Sequence, residues 1–90
     1  MTLKVDLFTS SATGMLKIKK DQSALKTLLE AKGIKYNEYD VASDTEKRLW
    51  MKETSGKTEL PQLFVNDKFV GNYDDLQELE EGGMFMDLFK

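Results

Sequence analysis

Three stretches hold the side chains that could do chemistry. Thr9-Ser10-Ser11-Ala12-Thr13 is a run of hydroxyls ending at Gly14, Asp74-Asp75 is a pair of adjacent carboxylates, and Leu60-Pro61 contains the only proline. A hydroxyl can attack as a nucleophile or hydrogen-bond to an anion, and the first role needs a base beside it. The chain has no histidine and no cysteine. It therefore has no imidazole base, no thiolate nucleophile and no zinc site of the usual ligands. Carboxylates alone can hold a hard cation, but none here follow the spacing of a calcium loop. What is left for these residues is recognition rather than reaction.

Composition narrows the partners. Ninety residues with 40% hydrophobic and 32% charged side chains make one soluble domain spanning 1–90, with a modest core. No run approaches the roughly 18 apolar residues of a membrane span. The alternating segment from Met1 to Thr9 is no signal-peptide core. The chain is expected in the cytoplasm, with the nucleus also open to it, and away from membranes. A net charge of -3 argues against nucleic acid as a partner. Lys17, Lys19, Lys20, Lys26, Lys32 and Lys35 crowd the first half, while Asp74, Asp75, Glu78, Glu80 and Glu81 crowd the end. Both groups read as solvated helix faces.

The elements that must position the three stretches follow from periodicity. Leu3, Val5 and Leu7 alternate with Lys4 and Asp6, which predicts a first strand over Thr2 to Phe8. Asp21 is a plausible cap for a helix carrying Ala24, Leu25, Leu28 and Leu29, closed by Gly33, and Met15 to Lys20 reads equally as loop or as an early helical turn. Ile34, Tyr36, Tyr39 and Val41 mark a second strand with imperfect alternation, consistent with a bulge near Glu38. Ser43-Asp44-Thr45-Glu46 reads as a capping box, with Ser43 as cap. The helix it opens sends Leu49 and Trp50 towards a core and ends near Gly56. Gln62-Leu63-Phe64-Val65 has strand length and composition. Asn66-Asp67 supplies a two-residue turn of positive φ, Lys68-Phe69-Val70 returns, and Gly71 ends the strand. Asp74 and Asp75 then lie at a helix N-terminus, where carboxylates are favoured. Gly82-Gly83 stops that helix before a last apolar turn from Met84 to Phe89.

The order is β-α-β-α-β-β-α, with parallel first strands and an antiparallel final hairpin. Proline before a strand, a tight hairpin, glycine and an acidic helix start together resemble the C-terminal half of a glutaredoxin. The resemblance extends over nearly the whole chain and implies an α/β, thioredoxin-like fold with a mixed four-stranded sheet. Aligning Val5-Asp6-Leu7-Phe8-Thr9 with the first glutaredoxin strand puts Thr13-Gly14-Met15-Leu16 where that family carries Cys-Pro-Tyr-Cys. The Ser/Thr-rich loop with Thr13-Gly14, the following Lys17-Ile18-Lys19 and the later Gly71-Asn72-Tyr73 are similar to another branch. These are the SH3-domain-binding glutamic-acid-rich-like proteins, glutaredoxin relatives that lack the redox motif.

Several expectations come with that resemblance. It implies a cis Leu60–Pro61 bond that turns the backbone edge of Leu60 into a groove. It also implies a partner groove formed by Thr13, Gly14, Leu60, Pro61, Gly71, Asn72, Asp74 and Asp75. The expected function is a redox-inactive, protein-binding or regulatory adaptor, not a thiol-disulfide oxidoreductase. The alternative is weak glutathione binding, or a glutathione-dependent transferase in which Thr13 or Ser11 stands in for the thiol. In that alternative Leu60 would pair with the cysteinyl peptide, and Asp75 would sit near the γ-glutamyl ammonium. Against it, Ser10 and Ser11 replace the basic residue that glutaredoxins place before the motif, and Asn72 replaces the second glycine of a Gly-Gly pair. No cofactor is expected beyond weakly held glutathione. SH3 binding is not expected either, because a lone Pro61 cannot form a Pro-x-x-Pro helix.

Overall fold

The computed structural model describes residues 3–89. Its elements are β1 (Val5–Thr9), α1 (Leu16–Ala31), β2 (Asn37–Asp40), α2 (Thr45–Ser55), β3 (Gln62–Val65), β4 (Lys68–Asn72), α3 (Tyr73–Glu81) and a closing 3-10 turn (Phe85–Phe89). The sheet runs β2-β1-β3-β4, with β1 and β2 parallel and the other neighbours antiparallel. This is the mixed sheet of the thioredoxin-like fold.

Hydrophobic burial divides the core between the two faces of the sheet. Val5, Leu7, Leu63 and Val65 point to one face, where Leu25 and Leu29 of α1, Leu76 of α3 and Phe85 cover them. Phe8 and Phe64 point to the other, where Val41, just after β2, and Met51 of α2 close over them. Because β1 is central and covered on both sides, all five of its residues are buried. Asp6 is therefore not the solvent-facing residue that strand alternation suggests. It is 2% exposed and accepts from Asn37 Nδ2 at 3.2 Å. Thr2, the expected first residue of this strand, lies outside the described residues.

Four further expectations are corrected. Helix α1 begins at Leu16 rather than Asp21, so the lysine run from Lys17 to Lys20 is helical surface; Lys17 pairs with Asp21 at 2.7 Å across one turn. Strand β2 starts only at Asn37, because Ile34 N–H still bonds the Leu29 carbonyl at the exit of α1. No bulge occurs at Glu38, which pairs in continuous register with Leu7. The irregularity lies opposite Leu63 and Phe64, where β4 pairs through Gly71 and then Phe69. The cap of α2 is Asp44, whose carboxylate accepts from Lys47 N–H at 3.1 Å, while the Ser43 hydroxyl turns back to the Asp40 carbonyl. Leu49 is left exposed, Met51 is buried, and Trp50 packs at the margin of the second core.

The hairpin matches its expectation closely. Asn66 and Asp67 both adopt positive φ, 51° and 65°. Lys4 fixes the tip to the start of β1: its Nζ donates to Asp67 Oδ1 at 2.8 Å, its N–H donates to Asn66 Oδ1 at 3.0 Å, and its carbonyl accepts from the Asn66 N–H at 2.8 Å.

Candidate functional site

At the C-terminal end of β1 three segments converge: the β1–α1 loop (10–15), the α2–β3 loop (56–61) and the β4–α3 junction (71–75). Each is held from behind by a polar side chain. Gln22, buried on α1, accepts from Ser10 N–H at 2.8 Å and donates to the Ser10 carbonyl at 3.3 Å. On the next residue, Asp40 accepts from the Ser11 N–H at 3.0 Å and from its hydroxyl at 2.5 Å, and also from Ala42 N–H. Those donors stabilise the charged form and hold the Asp40 carboxyl below its ordinary range, the Ser11 hydroxyl foremost.

The second loop is gripped in the same manner. Gln62 is 1% exposed, and its Nε2 donates to the carbonyls of Lys57 at 3.1 Å and Glu59 at 2.7 Å. Its Oε1 is buried without a partner among the described residues. The loop so fixed carries the cis Leu60–Pro61 bond. Neither the N–H nor the C=O of Leu60 has a hydrogen-bond partner among the described residues. An unpaired backbone edge at this place is a ready acceptor and donor for an extended chain.

The third segment is closed on itself. Asn72 caps α3, accepting from Asp75 N–H at 3.0 Å, while the Asp75 carboxylate accepts from Asn72 N–H at 3.2 Å. Asn72 Nδ2 also donates to Glu59 at 3.3 Å, tying this junction to the Leu60 loop. Gly71 is not the end of β4 but lies inside it. Its φ of 151° is unfavourable for other residues, and a Cβ there would sit 2.8 Å from that of Asp75. Asp75 is thus engaged in architecture. Asp74 takes no part in the cap and lies 3.7 Å from Lys17 Nζ at the start of α1.

Of the expected groove residues, the structure links Leu60, Pro61, Gly71, Asn72 and Asp75 through these contacts, and Asp74 through Lys17. Thr13 and Gly14 lie in the Gln22-held loop, where the Thr13 hydroxyl accepts from Met15 N–H at 3.3 Å. Sequence reasoning missed the α2 side. Between Ser10, Leu60 and α2 lies a cavity of about 330 Å³, lined also by Thr45, Arg48, Met51, Lys52 and Thr58. The i, i+4 spacing of Arg48 and Lys52 was a signal, but only the topology shows which helix faces the groove.

This arrangement does not activate a hydroxyl. The Ser11 hydroxyl donates to a carboxylate whose pKa is lowered, which makes Asp40 a weak base. No group of three or more acidic side chains that could hold a metal occurs among the described residues.

Comparison with known proteins agrees with the fold. The family described as "SH3-binding, glutamic acid-rich protein" matches over residues 1–90. Glutaredoxin 1 of Rickettsia typhi is 40% identical over 60 residues, which cover 64% of this chain but only 58% of that protein. Glutaredoxin 3 of Escherichia coli is 35% identical over 65 residues, covering 72% of this chain and 78% of the relative. Among solved structures, the actin interacting protein Aip5 of C. albicans superposes with a TM-score of 0.82 at 26% identity, covering 96% of this chain and 87% of that one.

Proposed function

Because the chain belongs to the SH3-binding, glutamic acid-rich protein family, a glutaredoxin-like branch, we propose that it is a redox-inactive binding module. In this reading the groove beside Leu60–Pro61 holds an extended segment of a protein partner. The observation that carries it is the unpaired Leu60 backbone, presented by a loop that Gln62 fixes from within. A backbone edge held rigid before a ligand arrives lowers the entropy that binding must overcome. With no cysteine in the chain, the same groove cannot form the mixed disulfide of a glutaredoxin, so recognition is the role left to it. The C. albicans neighbour is named an actin interacting protein, which supports a protein as the class of partner. A lone Pro61 offers no Pro-x-x-Pro segment for an SH3 domain, so the family's name does not identify that partner.

The test is quantitative capture of interacting proteins from cells by the wild-type chain and two variants. Ser10→Trp fills the groove, and Lys35→Trp alters the exposed far end of the sheet. With both variants shown to fold by circular dichroism, partners should be lost with Ser10→Trp and kept with Lys35→Trp. Equal capture by all three proteins would remove the groove from the binding site.

A further inference from the structure

Independently of the groove, we propose that a second cavity, at the N-terminal end of β1, receives the guanidinium of an arginine from a protein partner. It measures about 290 Å³ and lies between β1, α2 and the tip of the β3–β4 hairpin. Lys4, Asp6 and Phe8 alternate along the chain and so share the sheet face that α2 covers. Trp50 and Thr54 reach the cavity from α2, and Asp67 from the hairpin tip. The group that calls for a ligand is Asp6, which is 2% exposed. Its Oδ1 accepts from Asn37, but its Oδ2 accepts no hydrogen bond among the described residues. A buried carboxylate is costly unless its oxygens are paired and hydrogen-bonded. Lys4 Nζ stays 3.7 Å from Asp6 Oδ2 while it donates to Asp67 Oδ1 at 2.8 Å. The cavity's other ammonium, Lys47, is drawn instead to the Tyr39 ring, 4.4 Å from its centroid.

Lys4 is a stand-in that fits the site incompletely. An ammonium is a compact point charge, and here it reaches one carboxylate at hydrogen-bond distance and not the other. A guanidinium carries five donors in a planar fork, enough to serve Asp6 and Asp67 together. Its flat face also suits the aromatic wall, where Trp50 and Phe8 lie nearly parallel with centroids 5.6 Å apart. Indole is the best of the aromatic partners for a cation. The Thr54 hydroxyl, without a partner among the described residues, adds an acceptor. The Lys4 side chain is half-exposed and moves into water when the arginine enters. Asp6 and Asp67 then face the guanidinium and Lys47, equal numbers of opposite charges.

The experiment is an NMR titration of nitrogen-labelled protein with N-acetyl-arginine amide, which mimics an arginine within a chain. Counterparts carry lysine or citrulline, whose urea keeps the shape of a guanidinium without its charge; free arginine is a fourth probe. The capped arginine should shift the amides of Asp6, Thr54 and Asp67 and the Trp50 indole N–H. It should bind about threefold to tenfold tighter than the citrulline compound. Asp6→Asn keeps the side-chain shape, and Asp67→Asn tolerates the positive φ of the turn; each should remove that preference. Lys4→Met should strengthen arginine binding about threefold, since the internal competitor is gone. If circular dichroism shows Asp6→Asn unfolded, Asp67→Asn decides alone. Equal binding of arginine and citrulline, a preference that survives the aspartate variants, weaker binding by Lys4→Met, or no shift at all would overturn the proposal. Lysine binding as tightly as arginine would overturn the guanidinium, and free arginine binding tighter than the capped form would overturn a protein as its source.

Discussion

The two walls of the groove treat their polar groups in opposite ways. On the α3 wall nearly every group is matched internally: Asn72 with Asp75 and Glu59, and Gly71 pressed against the Asp75 side chain. On the α2 wall the hydrogen bonds lie behind the loop, through Gln62, and the side chains of Thr45, Arg48, Lys52 and Thr58 in front of it have no hydrogen-bond or ion-pair partner among the described residues. Charge at a helix end is present on both walls, yet it serves architecture on one and stands open on the other. Hydrogen-bond accounting separates the two where residue type does not.

The contrast can be broken most severely at Gly71. Gly71→Val places a branched side chain against the Asp75 Cβ in an unfavourable backbone region. It should destabilise the protein by about 2–4 kcal/mol, measured by denaturant unfolding. Next comes Gln62→Leu, which keeps the volume and leaves the Lys57 and Glu59 carbonyls without their donor. A loss of about 1–2 kcal/mol is expected, with faster amide exchange confined to the loop from Lys57 to Leu60. Uniform protection across that loop would show that Gln62 does not hold it. Asp75→Ala removes half of the α3 capping box and should lower stability by about 1 kcal/mol. If Asp75 served only a ligand, the melting curve would not move. Smallest of all, Arg48→Gln with Lys52→Gln should leave stability within about 0.5 kcal/mol of wild type. A larger loss would make the α2 wall structural, like its opposite.

What the sequence made legible was whatever is encoded locally. Asn66-Asp67 names its own turn because positive φ at two successive residues is tolerated by few others. Gly56 marks the end of α2 for the same reason, with φ of 70°. The start of α1 was illegible because its cap, Met15, contributes no side-chain hydrogen bond, and six of the nine helical residues before the first buried leucine, Leu25, are polar or charged. Ser43 and Asp44 were adjacent candidates for one cap, and the inward face of α2 carries Met51 rather than Leu49. The site was half legible for a related reason. Leu60, Gly71 and the aspartates belong to one continuous stretch whose resemblance exposed them together. The α2 wall draws on segments spread from Ser10 to Leu60, which only the fold brings together. Gln22 and Gln62 gave no sign that they grip the loops before α1 and before β3.

Those two glutamines have a consequence for how the molecule can change. Each takes hold of its loop mainly through main-chain atoms: the N–H and carbonyl of Ser10, and the carbonyls of Lys57 and Glu59. Main-chain atoms are present whatever amino acid occupies the position. The instructions for loop shape are thus stored outside the loops, and the tips at Ala12–Met15 and at Thr58 can vary in chemistry without losing those holds. A scaffold organised in this way can lose a reactive pair of residues, or acquire a new recognition surface, by rewriting tips alone. The same separation makes the chain a frame for transplanted loops, with Gln22 and Gln62 as the two positions a designer should leave untouched.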